Sequence, residues 1–365
     1  MTRRRTGAGA IGLACLLALT AGCSTAPSNA DASKPSDASG SASPVTTSTA
    51  LRAEEARTAF EEYAEVNAAA DAALDDTAIA RVQTGALLRE SLAEYAIARK
   101  AQRKVPVTSF TRPTFLLPSG KADAYPRWFA SVSKWLGRED DRQSALHYFV
   151  QEEKGGPWRA AASSWVVTDP GAGRPPAAPP KVSTGKVRTK PPVLPTLDRA
   201  ATGTVRLSSR ASEARAACRD FAARLSFTVP DGRAADGRFA AGPFTDDLVS
   251  YANGLADDAL ERSYAYRAQK ELEPPVFRLS TGGSLVPCTL TREHRVTGRD
   301  GAAVVFDEGS DTDVLLGGGG RRWGRVTEVS SVNAVISVPA GRGAPATVVS
   351  CDCYDPQTVS ATGHP

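Results

Sequence analysis

Histidine and excess charge are both scarce in this sequence. It contains three histidines in 365 residues, and its formal net charge is only +4. Three of the positive charges are Arg3, Arg4 and Arg5, which leaves a net charge of +1 on the rest of the chain. A nucleic-acid-binding protein usually presents a strongly basic surface. The sequence therefore excludes that class and predicts no nucleic-acid partner.

The signature motifs of several enzyme classes are also absent. The sequence has no G-x-S-x-G elbow, no H-E-x-x-H helix and no G-x-x-x-x-G-K-S/T loop, so serine hydrolases, zinc proteases and P-loop enzymes have no support. The acidic run at 307–313 lacks the EF-hand spacing, and the glycines at 317–320 lack the lysine of a phosphate-binding loop. We predict no enzymatic activity, no cofactor and no metal site.

No apolar run at the N-terminus is long enough to cross a membrane. The run there spans residues 10–19, whereas a transmembrane helix needs about 20 mostly apolar residues. It follows the three arginines and precedes the small residues Ala21 and Gly22. This order of basic, apolar and small residues is typical of an export signal.

The sequence Leu-Thr-Ala-Gly-Cys at 19–23 resembles the lipobox of bacterial lipoproteins. The resemblance implies that residues 1–22 are a signal peptide and that Cys23 becomes the lipidated N-terminus. Several acyl chains anchor a protein stably, so we expect the lipid bilayer as a partner and a lipid-anchored protein on the extracytoplasmic face of the cell membrane. The alternative is an ordinary secretion signal that leaves Cys23 as a free thiol. Residues 23–50 are mostly small and polar and predict a disordered tether.

Two stretches of the remaining chain look alike. Residues 55–64 align without gaps on 213–222, and a Tyr-Ala pair recurs at 95–96 and 264–265 in the same order. Ordered matches at a nearly constant offset indicate an internal duplication. Because alanine, arginine and glutamate are common helix formers here, a chance match is the alternative.

Each half begins with helical patterns and continues with strand-like ones. We predict helices at 54–73 and 76–104, and again at 211–225 and 246–271. Strand-like patterns follow at 107–117, 125–135, 144–153 and 158–167, and then at 276–279, 284–295, 302–306, 313–316, 325–338 and 346–353. The sequence thus predicts the α+β class, with two related domains, 51–167 and 211–355, in which N-terminal helices pack on a curved antiparallel sheet. A C-terminal tail at 356–365 follows.

The end of the first half carries a family resemblance. The run 147–161 contains the turn Lys-Gly-Gly-Pro followed by Trp158 and Arg159, and it resembles the end of a nuclear transport factor 2-like (cystatin-like) domain. The whole chain resembles actinobacterial secreted lipoproteins of unknown function. The resemblance implies a long curved sheet wrapped around helices, and it supplies no catalytic residues.

His147 is the best candidate for a general base. It lies on a predicted strand, and in a cone-shaped pocket it could face Tyr125, Trp128 or Asp123, as in catalytic members of the resembling fold. The alternative is a packed or surface histidine. His294 has the pattern of a solvated strand edge. Several tryptophans on a concave face could instead hold an apolar or glycan ligand, and the alternative for them is packing.

The segment between the halves, 168–210, is rich in proline and basic residues. It holds eight basic and two acidic side chains, a net charge of +6. Its prolines predict an extended, partly stiff linker. The positive charge is compatible with adhesion to anionic headgroups or wall polymers, and a solvated linker is the alternative.

Four cysteines remain for the second half, namely Cys218, Cys288, Cys351 and Cys353. An even number of cysteines in an exported domain indicates disulfides. We favour Cys218 with Cys351 or Cys353, and Cys288 with the other, because the helix that carries Cys218 must cover the sheet. A four-thiolate zinc site and a redox C-x-C pair are the alternatives, and neither fits the spacing or the acidic surroundings.

These patterns together predict a membrane-anchored, non-enzymatic binding or interaction module for an unknown protein or small ligand. One alternative is a pocket enzyme in which His147 acts as the general base. The other is an adhesive component of the cell envelope that uses the basic linker.

Overall fold

A computed structural model describes residues 51–120, 124–139, 141–169, 190–231, 236–341 and 343–365. The predicted signal peptide at 1–22, the lipidation site Cys23, the tether at 23–50 and the central part of the proline-rich linker lie outside these described residues. Within the described ranges, no helix is both long and apolar enough to span a bilayer.

Three helices and a four-stranded sheet make up the first half. The helices are α1 (Ala53–Ala73), α2 (Asp76–Val82) and α3 (Gly85–Ala101), and the strands are β1 (Phe110–Leu116), β2 (Arg127–Trp135), β3 (Gln143–Gln151) and β4 (Arg159–Val167). The antiparallel order β1-β2-β3-β4 follows the chain, and we call this sheet 1. The helix predicted at 76–104 is interrupted, because the backbone of Gln83 is extended and that of Gly85 has a φ of +59°.

A larger antiparallel sheet, sheet 2, dominates the second half. The second half begins with two short helices, α4 (Ala211–Ala214) and α5 (Ala216–Leu225). The remaining elements are β5 (Phe227–Val229), α6 (Asp246–Asn253), β6 (Leu260–Ala268), β7 (Phe277–Arg278), β8 (Ser284–Gly298), α7 (Asp311–Leu315), β9 (Arg325–Val338), β10 (Thr347–Cys351) and β11 (Gln357–His364). The strand order is β10-β9-β8-β6-β5, with β11 also paired to β9 and β7 to β8. The α+β class is thus confirmed.

Four local predictions in the second half are wrong. The strand expected at 302–306 is reduced to an isolated bridge between Val304 and Trp323. The helix expected at 246–271 ends at Asn253, and its second part is strand β6, in which Tyr264 and Tyr266 pair with His294 and Arg292 of β8. The strand expected at 313–316 is largely helix α7, whose first turn is capped by the Ser310 hydroxyl. The expected tail at 356–365 contains strand β11, which pairs with β9 over its length.

The two halves share one core. One face of sheet 1 packs against the helices through Phe60, Tyr63 and Phe149. Residues of its other face, among them Tyr148, join a buried cluster with Phe277 of sheet 2. Residues 48–365 accordingly form one compact unit.

The described part of the linker lies along both sheets. Val193 forms a bridge with Val167 of sheet 1, and Leu207 forms one with Phe277 of sheet 2. Val205 is fully buried in the cluster between the sheets. Residues 190–210 therefore run along the protein, and Val205, with the partly buried Leu194 and Leu197, joins the cluster between its halves.

The structure pairs the four cysteines differently from our expectation. Cys218 on α5 is bonded to Cys288 on β8, with the Cα atoms 5.5 Å apart, and Cys351 is bonded to Cys353, with the Cα atoms 5.1 Å apart. The expected pairing is wrong because α5 lies against β8. Strand β10 ends at Cys351, and the following turn brings Cys353 to it. All four belong to one buried cluster.

Candidate functional site

His147 lies in the interior of the protein on strand β3. The residue is 1% exposed, and its ring centroid lies 5.2 Å from that of Tyr63 and 4.5 Å from that of Phe110. Across the sheet it pairs with Ser131 on β2 and Ser163 on β4. Side chains that alternate along β3 place His147 on the face that packs against the helices.

The expected companions of His147 are not its neighbours. Trp128 pairs with Val150 and packs on the opposite face of the sheet, because strand residues of different parity point to different faces. The Tyr125 ring lies under the Arg127 guanidinium, and Asp123 lies outside the described residues. The rings next to His147 are instead those of Tyr63 on α1 and Phe110 on β1.

His147 lines a cleft of about 360 Å³ between the two halves. The helices and sheet 1 form one wall, and Asn333 and Asp352 of the second half contribute to the other. Four carboxyl groups line it, namely Asp71, Glu90, Glu94 and Asp352. The aromatic lining consists of Tyr63, Phe110, Trp135 and Trp165. We call this cavity the acidic cleft.

Asp71 is fixed by three hydrogen-bond donors. Its carboxylate accepts from the Tyr95 hydroxyl at 2.7 Å, from Asn67 Nδ2 at 3.0 Å and from the backbone N–H of Thr108 at 3.2 Å. Gln83 Nε2 donates in turn to Asn67 Oδ1 at 2.9 Å. Burial raises the pKa of Asp71, and the three donors oppose the rise. This network holds one end of the cleft in a fixed shape.

Glu90 and Asp352 both accept hydrogen bonds from Asn333. Asn333 Nδ2 donates to Glu90 Oε1 at 2.9 Å, and the backbone N–H of Asn333 donates to Asp352 Oδ1 at 2.7 Å. Burial raises the pKa of both carboxyl groups, and the charge of Glu90 raises that of Asp352 further. Burial also raises the pKa of Glu94, with Asp71 adding to the effect. The cleft therefore holds carboxyl groups whose charged forms are poorly solvated.

The imidazole of His147 lacks a partner for one nitrogen. Within the described part of the chain, Nδ1 is buried and has no hydrogen-bond partner. Burial lowers the pKa of His147 to about 3, so the ring is neutral at neutral pH. A neutral imidazole has one donor nitrogen and one acceptor nitrogen.

His294 does not lie at the solvated edge that we expected, and its side chain is only 11% exposed. Strand β8 lies inside sheet 2 between β6 and β9, and His294 Nδ1 is 2.5 Å from Glu328 Oε2. The Thr312 hydroxyl donates to the other oxygen of Glu328, and Tyr264 stacks on the imidazole at 4.6 Å. Burial lowers the pKa of His294. Hydrogen bonds and charge from His294 lower that of Glu328 against the effect of burial.

Sequence reasoning missed the carboxyl groups of the cleft. Asn67 and Asp71 could have been found, because they lie four residues apart on the same helix face as the buried Tyr63. Glu90, Asn333 and Asp352 gave no such signal, since their contacts join distant parts of the chain. No group of three or more His, Cys, Asp or Glu side chains suited to a metal ion occurs in the described ranges.

Another cavity, of about 400 Å³, opens beside the Cys218–Cys288 disulfide. Arg215 and Glu273 line it, and they form an ion pair at 3.3 Å. This cavity thus contains a paired acid and base, whereas the acidic cleft combines buried carboxyl groups with an unpartnered imidazole nitrogen. The acidic cleft is the stronger candidate site.

Comparison with known proteins identifies the family. The family described as Domain of unknown function (DUF8094) matches residues 47–362. No curated protein and no solved structure matches the chain. The matched range contains the whole of both sheets apart from the last residues of β11, as well as the acidic cleft. This chain is therefore a member of the DUF8094 family.

Proposed function

We propose that the protein is an extracytoplasmic lipoprotein, anchored through Cys23, that binds a small ligand in the acidic cleft. The observation that carries the proposal is the position of His147. It is buried in the wall of a cavity with four carboxyl groups, and its Nδ1 has no partner among the described residues. Buried polar atoms are nearly always satisfied, so an imidazole without a partner for Nδ1 in the wall of the cleft supports a ligand or water that contacts this ring.

Binding is favoured over catalysis by the chemistry of His147. An effective general base has a pKa near the working pH, whereas the pKa of His147 is lowered to about 3. No carboxylate contributes to that shift, for which burial is the cause. The alternative, an enzyme with His147 as the general base, is supported by the position of this residue in a cavity. Its lowered pKa makes the imidazole a weak base. We therefore keep the non-enzymatic assignment.

The export signal and the disulfides support an extracytoplasmic location. Disulfides persist in oxidising compartments and are rare in the cytosol, and two are formed here. The adhesive alternative is weakened within the described linker, because Arg206 is paired with Asp198 and Arg210 with Glu213.

The finer fold assignment also belongs to this proposal. Helices lie on one face of sheet 1, as in a nuclear transport factor 2-like domain, and helices open each half. The duplication rests on the match between 55–64 and 213–222, which lie on α1 and on α4 and α5. The match at 95–96 and 264–265 does not support it, since Tyr95 is on helix α3 and Tyr264 is on strand β6.

Two experiments test the proposal. Metabolic labelling with palmitate should mark the wild-type chain and not Cys23→Ser, and unlabelled wild type recovered from cytosol would refute the anchor. For the cleft, a panel of small metabolites should contain compounds that raise the melting temperature of the wild type but not of Ser163→Trp. Ser163 lies beside His147 and lines the cleft, so an indole there fills it. Equal shifts in both proteins would refute binding in the cleft.

A further inference from the structure

We infer that the acidic cleft selects an organic cation, with a protonated amine next to an apolar or aromatic body. The inference rests on the proposed function, because it names the ligand class of the same cleft. Three independent features of the lining point to it, namely its charge, its hydrogen-bonding capacity and its aromatic walls.

The charge of the lining is of one sign. Four carboxyl groups and no lysine or arginine line the cleft among the described residues. Two arginines that act on these carboxyl groups are engaged elsewhere, since Arg89 pairs with Glu271 at 2.6 Å and Arg103 pairs with Asp311. These arginines still lower the pKa of Glu90 and Glu94, but burial outweighs them. A buried carboxylate without an adjacent cation is stabilised by a ligand that brings one.

The hydrogen-bonding capacity of the lining is mostly acceptor. The side-chain amides of Asn67, Gln83 and Asn333 donate to protein oxygens. The hydroxyl of Ser91 donates to Gln83 Oε1 at 2.8 Å. Carboxylates accept at several lone pairs, and Glu90 and Asp71 each have capacity beyond these bonds. These amides are therefore engaged with the protein while the carboxylates retain acceptor capacity, which suits an ammonium group, because an ammonium group only donates.

His147 supplies the second observation that points to a ligand. The residue is only 1% exposed and lines the cleft. Its Nδ1 has no hydrogen-bond partner among the described residues. As a neutral ring it accepts a hydrogen bond from an ammonium N–H without adding charge. An anionic ligand would instead face four acidic groups.

The aromatic side chains of the lining indicate an apolar or aromatic group next to the amine of the ligand. Tyr63, Phe110, Trp135 and Trp165 line the same cavity. Aromatic faces attract cations and pack against apolar groups. A volume of about 360 Å³ lies within the usual range for small-molecule sites. The combination fits an amine that carries a ring or a short apolar chain.

Proton release provides a signature of this ligand class. A bound cation lowers the pKa of a neighbouring carboxyl group, so a carboxyl that is partly protonated in the free protein loses its proton on binding. Burial raises the pKa of Glu90, Glu94 and Asp352. Binding of an amine at a pH near these raised pKa values should therefore release protons, and the apparent binding enthalpy should then depend on the ionisation enthalpy of the buffer.

The test compares three ligands that share one ring. Phenethylamine, 2-phenylethanol and phenylacetate are titrated into the purified full chain by calorimetry. We expect phenethylamine to bind at least tenfold more tightly than 2-phenylethanol, with proton release, and phenylacetate to bind weakest. Glu90→Gln and Glu94→Gln should each lower the affinity for phenethylamine at least tenfold. Glu62→Gln, which removes the same charge at an exposed position on α1, should retain wild-type affinity.

Each outcome separates the cation inference from the proposed function. Tighter binding of 2-phenylethanol or phenylacetate that is lost in Ser163→Trp overturns the cation inference and leaves a ligand-binding cleft in place. Failure of all three to bind the wild type also overturns the cation inference. Phenethylamine that binds Ser163→Trp as tightly as the wild type overturns both, because its site then lies outside the cleft. Circular dichroism verifies that each variant is folded.

Discussion

Glu90 on helix α3 and Asn333 on strand β9, 243 positions apart in the sequence, are joined by a hydrogen bond of 2.9 Å at the edge of the acidic cleft. The backbone N–H of Asn333 also donates to the side-chain carboxylate of Asp352. One amide residue thus serves carboxyl groups from both halves of the molecule. Its removal provides a direct measure of how strongly the cleft couples the halves.

Asn333→Ala should destabilise the protein by about 2 kcal/mol, because Glu90 loses a donor in a buried site. The free energy of unfolding from urea titration is the measurement. Thr327→Ala, on the same strand, is the control and should change this free energy by less than about 1 kcal/mol. Equal losses in the two variants would show that the amide does not hold the halves together.

His147 should make the protein sensitive to acid. The folded-state pKa is about 3, below the ordinary value of 6.5, so the unfolded chain takes up the proton first and stability falls as pH drops from about 6.5 towards 3. Between pH 7 and pH 4 this residue should cost about 3 kcal/mol. His147→Phe should lack that loss in urea titrations. A constant difference between wild type and variant across this range would contradict the burial of a neutral ring.

Glu90 should lower the stability of the protein at high pH, whereas His147 lowers it at low pH. Its folded-state pKa is raised by burial, so it contributes stability at low pH that is lost as pH rises through the folded-state pKa. Glu90→Gln keeps an oxygen for Asn333 and removes the charge, so it should raise the melting temperature at pH 8 and leave it unchanged at pH 4. Glu62→Gln, exposed on α1, should change neither. A lower melting temperature for Glu90→Gln at pH 8 would argue that a partner stabilises its charge.

The two disulfides should contribute unequally. The Cys218–Cys288 bond closes a loop with a sequence separation of 70, and the Cys351–Cys353 bond closes one with a separation of 2. Loop-closure entropy predicts a loss of about 4 kcal/mol when the first is replaced by two alanines and about 2 kcal/mol for the second. Urea titration of both double variants measures the difference. A larger loss for the second pair would show that strain or packing, not chain entropy, decides its effect.

The buried pair of His294 and Glu328 should be costly to break. Glu328→Ala leaves the imidazole and the Thr312 hydroxyl without their acceptor, and such losses are about 3 kcal/mol. Glu293→Ala, which removes an exposed ion pair with Arg295 on the same strand, should change the free energy of unfolding by less than about 1 kcal/mol. Comparable effects of the two substitutions would place His294 nearer to solvent than the structure does.

Local patterns predicted the first half well because its signals are local. Strand β4 was expected at 158–167 and occurs at Arg159–Val167, and α1 was expected at 54–73 and occurs at Ala53–Ala73. Alternating apolar residues and a Gly-Gly-Pro turn are sufficient for such segments. In contrast, residues 313–316 have an apolar strand-like pattern, and the hydroxyl of Ser310 starts a helix there.

The candidate site was only partly accessible to sequence reasoning. The sequence left His147 open between a pocket residue and a packed one, and the residue is buried in the wall of a cleft. Its neighbours could not be deduced, since Asp352 and Asn333 approach only after the two sheets pack on each other. The disulfide pairing failed for the same reason, because the crossing of α5 over β8 is a tertiary feature.

Because the cleft takes one wall from each half, neither half alone sets its shape. A substitution that enlarges Glu90 or shortens Asn333 alters the same opening from opposite sides of the polypeptide. Across the DUF8094 family, we therefore expect substitutions at these two positions to occur together.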